Sequence, residues 1–183
     1  RDAEMVIEEV TENPVLKFQL FKQLDEACNP NAILATNTSS ISITNLGAAT
    51  SRPECVVGMH FFNPAPLVKL VEVVRTDHTS KETLHTVVEL AKQMGKIPVV
   101  CKDSPGFIVN RVARPYYIES LRLVEEGLAD FTTIDSLLEA TGFKMGPFKL
   151  MELIGNDINY AVSCSVYDQL NQAERLRPSP IQQ

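Results

Sequence analysis

AEMVIEEVTENPVLKFQLFKQLDEACNPNAILAT, residues 3–36, reads as strand, helix, strand. Residues 3–10 are strand-like around an apolar centre of Met5, Val6 and Ile7. Asn13-Pro14 opens a helix, with proline at a tolerated first-turn position. Leu16, Phe18, Leu20, Phe21 and Leu24 continue at roughly helical spacing to about Ala27. Asn29-Pro30-Asn31 breaks the pattern, and residues 32–36 form a short strand of the buried type. Two strands joined by a helix point to a parallel α/β sheet.

Downstream, Thr36-Asn37-Thr38-Ser39-Ser40 places a polar cluster at a strand's carboxyl end, the edge where open α/β sheets bind ligands. The same residues also suit a plain loop with a helix cap, because a short helix follows over 43–49. Residues 53–62 and 68–76 are the next strands. A helix then starts from Ser80 as cap and closes at Gly95, and 97–101 is the last strand. From Gly106 onward the pattern is helical: 107–126, interrupted at Pro115 and ended by Gly127, then 132–140, a helix from near Pro147, and 157–170. The expected division is an α/β part, 1–102, and an all-α part, 103–183.

The formal charge of −6, with no run of Lys or Arg, argues against a nucleic-acid partner. No apolar stretch is long enough to span a membrane. Cys28, Cys55, Cys101 and Cys164 show no CxxC pairing, and no metal is expected. Their even number leaves disulfides open, while the apolar runs around Cys55 and Cys101 suit buried thiols in a reducing compartment. The chain starts on Arg1 and ends without a tidy terminus, so it is expected to be a piece of a longer protein. Its first glycine is Gly47, so no GxGxxG loop is present, and the chain enters the sheet partway through.

Residues 58–73 carry the chemical question. His60 ends one strand and Glu72 lies inside the next, in a strand that could return alongside the first. A lone histidine in an apolar segment is more often a satisfied core residue. Three features favour a general base instead. Phe61-Phe62 supply apolar surroundings that disfavour charge on the ring. Asn63-Pro64-Ala65-Pro66 makes a rigid polar turn beside it. Glu72, flanked by Val71 and Val73, needs a partner, and a carboxylate on one imidazole nitrogen fixes the tautomer and stabilises the imidazolium. His78 and His85 lack such company and read as surface residues. Asn110, one turn into the long helix, is either a packing hydrogen-bonder or a donor to a substrate oxygen at the junction of the two parts.

NTSSISIT (37–44), GMHFFNPAPLVKLVEVV (58–74), CKDSPGFIVNR (101–111) and MGPFKL (145–150), in that order, resemble the L-3-hydroxyacyl-CoA dehydrogenase family. The resemblance covers nearly the whole chain. It implies a Rossmann domain that binds NAD and a helical domain that forms a homodimer, with an acyl-CoA substrate in the cleft between. It implies His60 as general base, Glu72 as its partner, and Ser39 and Asn110 as substrate-positioning groups. The family's late NAD contacts match Glu12, Lys17, Asn37, Ser39 and Asn63. The implied reaction is oxidation of (3S)-3-hydroxyacyl-CoA to 3-oxoacyl-CoA, in the cytoplasm or the mitochondrial matrix. The family's glycine-rich loop, ribose-binding acid and CoA-contacting segment would all precede Arg1, so the piece itself is expected to be inactive. Two alternatives are a related hydroxyacid dehydrogenase of a non-CoA substrate and a non-catalytic structural member like the lens crystallins of this resemblance. Retention of His60, Glu72, Ser39 and Asn110 together speaks against the second.

Overall fold

Five strands form one sheet in chain order: β1 (Met5–Glu8), β2 (Ile33–Thr36), β3 (Val56–Phe61), β4 (Leu70–Arg75) and β5 (Ile97–Lys102). They belong to a computed structural model that describes residues 2–182. Strands β1, β2 and β3 run parallel, β4 is antiparallel to β3, and β5 is parallel to β4. The connections account for this pattern. Helix α1 (Pro14–Ala27) crosses from β1 to β2, and α2 (Ile43–Ala48) lies between β2 and β3. Residues 62–69 are too few for a parallel crossover, which takes about a dozen or more, so β4 turns back on β3. Helix α3 (Lys81–Gln93), capped by the Ser80 hydroxyl on the Thr83 amide at 3.0 Å, restores the parallel sense for β5.

Two expectations shift in detail. The strand expected from residue 53 begins at Val56, because Pro53–Cys55 forms a 3-10 turn whose proline has no N–H for the ladder. Helix α1 packs Phe18, Phe21 and Leu24 of its expected face against the core, but the face also takes in Lys17 and leaves out Leu16. Lys17 and Phe21 are inside, while Leu16 is 40% exposed.

The sheet has an apolar layer on each side. Ile33, Ala35, Val57, Met59, Val71 and Val73 share one face with Val87 and Ala91 of α3. Leu34, Val56 and Val74 share the other with Phe21, Ile43, Leu46 and Phe107. Side chains alternate along a strand, so Glu8, Thr36, Gly58, His60 and Glu72 fall on this second face. Gly58 is obligatory there: a Cβ would stand 2.7 Å from the Val74 Cβ and 3.2 Å from Ile43 Cδ1. The four cysteines are free and partly exposed.

The chain divides at Phe107 and Ile108 into two units. The second is helical: α4 (Val109–Glu125), α5 (Phe131–Ala140), α6 (Pro147–Ile154) and α7 (Asn156–Gln169), followed by two 3-10 turns. Tyr117, Leu121 and Met151 form one core, and Ile118, Val166 and Leu176 another. The MGPFKL motif is the start of α6. Asp135 of α5 accepts hydrogen bonds from the Phe148 and Lys149 amides at 2.9 and 3.2 Å, capping that helix. Its carboxylate lies 2.2 Å from where a Cβ of residue 146 would stand, so only glycine fits.

Candidate active site

His60 and Glu72 are directly opposite in the antiparallel β3–β4 ladder. Opposed residues of such a pair have their Cβ atoms about 4.5–5.5 Å apart on one face, within reach of a side-chain hydrogen bond. The bond is made: His60 Nδ1 lies 2.8 Å from Glu72 Oε2. Both residues are buried, at 6% and 1% exposure, so water competes little for the contact. With Nδ1 engaged by the carboxylate, Nε2 is the nitrogen left for proton transfer. The ring is flanked by Phe62, centroid to centroid 4.5 Å, and by Phe107 at 5.7 Å.

The polar cluster after β2 is organised by Glu12. Its Oε1 accepts from the Thr38 hydroxyl at 2.6 Å, the Ser39 amide at 3.0 Å, and the Ser40 amide and hydroxyl at 3.1 and 3.0 Å. Burial opposes ionisation of Glu12, but these bonds and the Lys17 charge outweigh it and hold the carboxyl below its ordinary range. Lys17 lies beneath this edge, buried, with Nζ 2.6 Å from Glu8 Oε1, 3.0 Å from the Val10 carbonyl oxygen and 3.7 Å from Glu12 Oε2. Glu8 Oε2 in turn accepts from the Thr36 hydroxyl at 2.6 Å. Asn37 Oδ1 accepts from the Phe61 amide at 2.7 Å, tying the end of β2 to the strand that carries His60.

Of the residues expected to form the site, the first unit therefore brings His60 to Glu72, Glu12 to the loop of Ser39, and Asn37 to the end of β3. Asn63 is exposed in the turn that follows β3. Asn110 belongs to the second unit, in the first turn of α4. Its neighbours Ile108, Val109 and Val112 line an apolar groove of about 620 Å³ with Tyr116, Phe143 and Met145. His78 and His85 are exposed, as expected.

Three features escape a reading of the sequence. One is the Glu8–Lys17 ion pair. Glu8 closes an otherwise apolar strand, the same signal that marks Glu72, so its need for a partner was visible. Another is Asp103, whose Oδ2 accepts from the Ser42 and Thr44 hydroxyls at 2.9 and 2.6 Å and from the Thr44 amide at 2.8 Å. The third is Phe107. The long helix, expected from residue 107, begins at Val109, because Gly106 and Phe107 both take left-handed backbone at φ 73° and 47°. That conformation costs a non-glycine residue of order 1–3 kcal/mol. Burying the phenyl ring, worth about 1.5–3 kcal/mol, offsets it.

Cys101, on β5 opposite Val74, illustrates the local field. Burial, with the Glu72 and Asp103 carboxylates, pushes its thiol up to about 12. Alkylation at pH 8 is expected to run on the order of 1,000-fold slower than for an unhindered cysteine, because so little thiolate is present. Peptide mapping after iodoacetamide checks this, and removing the Glu72 charge with Glu72→Gln should speed the labelling.

The sheet is mostly parallel and carries its polar cluster at a strand's carboxyl end, the edge where open α/β sheets bind ligands. Residues 1–104 match the family description "3-hydroxyacyl-CoA dehydrogenase, NAD binding domain", and residues 106–183 match its C-terminal domain. The chain belongs to the 3-hydroxyacyl-CoA dehydrogenase family. It is 51% identical to the 3-hydroxyadipyl-CoA dehydrogenase of Escherichia coli (strain K12), over 99% of this chain and 38% of that protein. It is 45% identical to the mitochondrial hydroxyacyl-coenzyme A dehydrogenase of Sus scrofa, over 97% of this chain and 57% of that protein. The crystal structure of an (S)-3-hydroxybutyryl-CoA dehydrogenase from Ralstonia eutropha superposes with a TM-score of 0.94 at 42% identity, covering 98% of this chain and 63% of that one. The chain thus spans between 38% and 63% of the length of these relatives. Among the described residues no helix is long and apolar enough to cross a membrane.

Proposed function

We propose that this chain carries the proton-transfer half of an NAD-dependent dehydrogenase that oxidises (3S)-3-hydroxyacyl-CoA to 3-oxoacyl-CoA. The observation that carries the reading is the buried 2.8 Å contact between His60 Nδ1 and Glu72. In this reading His60 Nε2 accepts the proton of the substrate's 3-hydroxyl, and Glu72 stabilises the imidazolium that forms. Ser39 and Asn110 hydrogen-bond the oxygen whose charge changes in the transition state. The apolar groove beside Asn110 suits the acyl chain.

The edge residues fit the nicotinamide side of NAD. Glu12 spends Oε1 on the loop, so Oε2 remains an acceptor for a ligand hydroxyl, while Ser39, Asn37 and Asn63 supply further polar groups at the strand ends. Lys17 serves this edge through Glu12, since its ammonium is already bonded to Glu8 and Val10. When bound, NAD supplies the hydride-accepting ring.

The chain alone is expected to turn over little or no acetoacetyl-CoA, because it has no glycine-rich phosphate loop. NADH oxidation checks this, and turnover near that of a longer relative would sink the claim. Leu153 and Ile154 at the end of α6 and Ile158 at the start of α7 are exposed, at 70%, 40% and 55%, which suits a homodimer contact. Equilibrium sedimentation should then report twice the 20.3 kDa chain mass, and a monomer across the micromolar range would refute it.

A further inference from the structure

We infer that Phe107 is a positioning residue for His60, and that Asp103 holds it there. Glu72 grips the imidazole at one atom, which leaves the ring free to swing about that hydrogen bond. Two aromatic side chains remove the freedom. Phe62 stands tilted at 56° on one side, and Phe107 meets the ring edge-on at 61°. Edge-to-face contacts have a preferred direction, so they fix a ring plane as aliphatic packing does not. With the plane set, Nε2 faces one way. Phe62 follows His60 by two residues on the same strand end, whereas Phe107 arrives from the far end of β5. Its placement therefore needs its own support.

That support is visible. The Asp103 amide donates to the Arg75 carbonyl at 2.9 Å, continuing the β4–β5 edge. The Asp103 carboxylate is staked to Ser42 and Thr44 by three hydrogen bonds. Phe107 N–H closes a turn on the Ser104 carbonyl at 2.9 Å, and the left-handed pair Gly106-Phe107 drives the phenyl ring inward. Phe107 is 5% exposed and packs with Ile43 and Leu46 of α2, the helix whose first turn Asp103 holds. A residue needed only to fill this core could be leucine and adopt an ordinary backbone. A strained aromatic at the histidine's edge is better explained by the histidine.

The role rests on His60 being the base of the proposed reaction, but its test does not use that reaction. Imidazole NMR of the 183-residue chain reports the His60 ring directly, with exposed His78 and His85 as internal references. Phe107→Leu keeps apolar bulk and is expected to raise the minor His60 ring conformer about 2- to 10-fold, the span an aromatic contact is worth. Phe107→Tyr should restore the wild-type ring signals, and the methyl spectrum of the core should change little in either. If Phe107→Leu does not fold, Asp103→Asn supplies the second arm: it leaves the phenyl ring and loosens its anchor, and should mobilise the His60 ring in the same direction. Unchanged His60 ring dynamics in a folded Phe107→Leu or Asp103→Asn chain would overturn the role. Failure of the dehydrogenase reading would instead show as a His60 variant with undiminished turnover, so the two failures are distinguishable.

Discussion

Lys17→Met is expected to destabilise the first unit by about 3–5 kcal/mol, the usual cost of stranding one member of a buried ion pair. The Lys17 and Glu8 side chains are 1% and 0% exposed, so water cannot take over for the missing ammonium. Glu8 would keep its bonds from the Thr36 hydroxyl and the Val10 amide, but these do not neutralise its charge. Pairing Lys17→Met with Glu8→Leu removes the stranded charge and should recover part of the loss. Recovery will be incomplete, because the buried Thr36 hydroxyl is then left without its acceptor at about 1–3 kcal/mol. The four tyrosines, Tyr116, Tyr117, Tyr160 and Tyr167, all lie in the second unit, and the chain has no tryptophan. Tyrosine emission therefore follows that unit, while hydrogen exchange at the β1–β2 amides follows the first. A urea series read both ways tests the expectation. If the β1–β2 amides of Lys17→Met stay as protected as in the wild type, the pair contributes nothing to stability.

Much of the first unit was legible because each element carries its own signal. Asn13-Pro14 starts α1 where the N-cap and N1 preferences put it, and Asn13 Oδ1 does accept the Leu16 amide at 3.2 Å. Glu72 between two valines announced a buried carboxylate, and the short 62–69 turn brought its strand back beside His60. What periodicity could not show is the place of Lys17 on the buried face of α1. Lys17 counts as polar in any hydrophobic pattern, yet it occupies the inside position, one turn before Phe21, because Glu8 neutralises it. The pattern of Leu16, Phe18, Leu20, Phe21 and Leu24 therefore finds the packed face through Phe18, Phe21 and Leu24, but misses Lys17 and takes in the exposed Leu16.

The start of α4 escaped for a different reason. Phe107-Ile108-Val109 continues a helical apolar spacing, and nothing in those three residues signals a left-handed turn. Gly106 read only as the point from which the pattern turns helical. The turn arises because Phe107 packs with residues far away in sequence, from Phe21 to Val74, and beside His60. Tertiary contact overrides local preference there. In the second unit the same logic explains MGPFKL, whose glycine is dictated by Asp135 eleven positions earlier, so the motif was recognisable before its cause was.

His60→Gln, made in a protein that joins this chain to a glycine-rich dinucleotide loop, is expected to lower kcat by about 10²- to 10⁴-fold, the range for a lost general base. At 1.36 kcal/mol per decade this is about 2.7–5.4 kcal/mol of transition-state stabilisation. Glutamine is close in length and polar, so the KM for NAD should change little. Glu72→Gln is expected to cost less. A neutral amide oxygen can still accept from Nδ1–H and keep the ring oriented, but it no longer offsets the charge of the imidazolium. The two residues act as a unit, so the double variant should be no more than about 3-fold slower than His60→Gln alone. Additive losses would mean that Glu72 works independently of His60, despite the 2.8 Å between them. Steady-state rates of the two single variants and the double variant, compared at saturating acetoacetyl-CoA and NADH, separate these outcomes. A His60→Gln protein that keeps the wild-type kcat would show that the proton goes elsewhere.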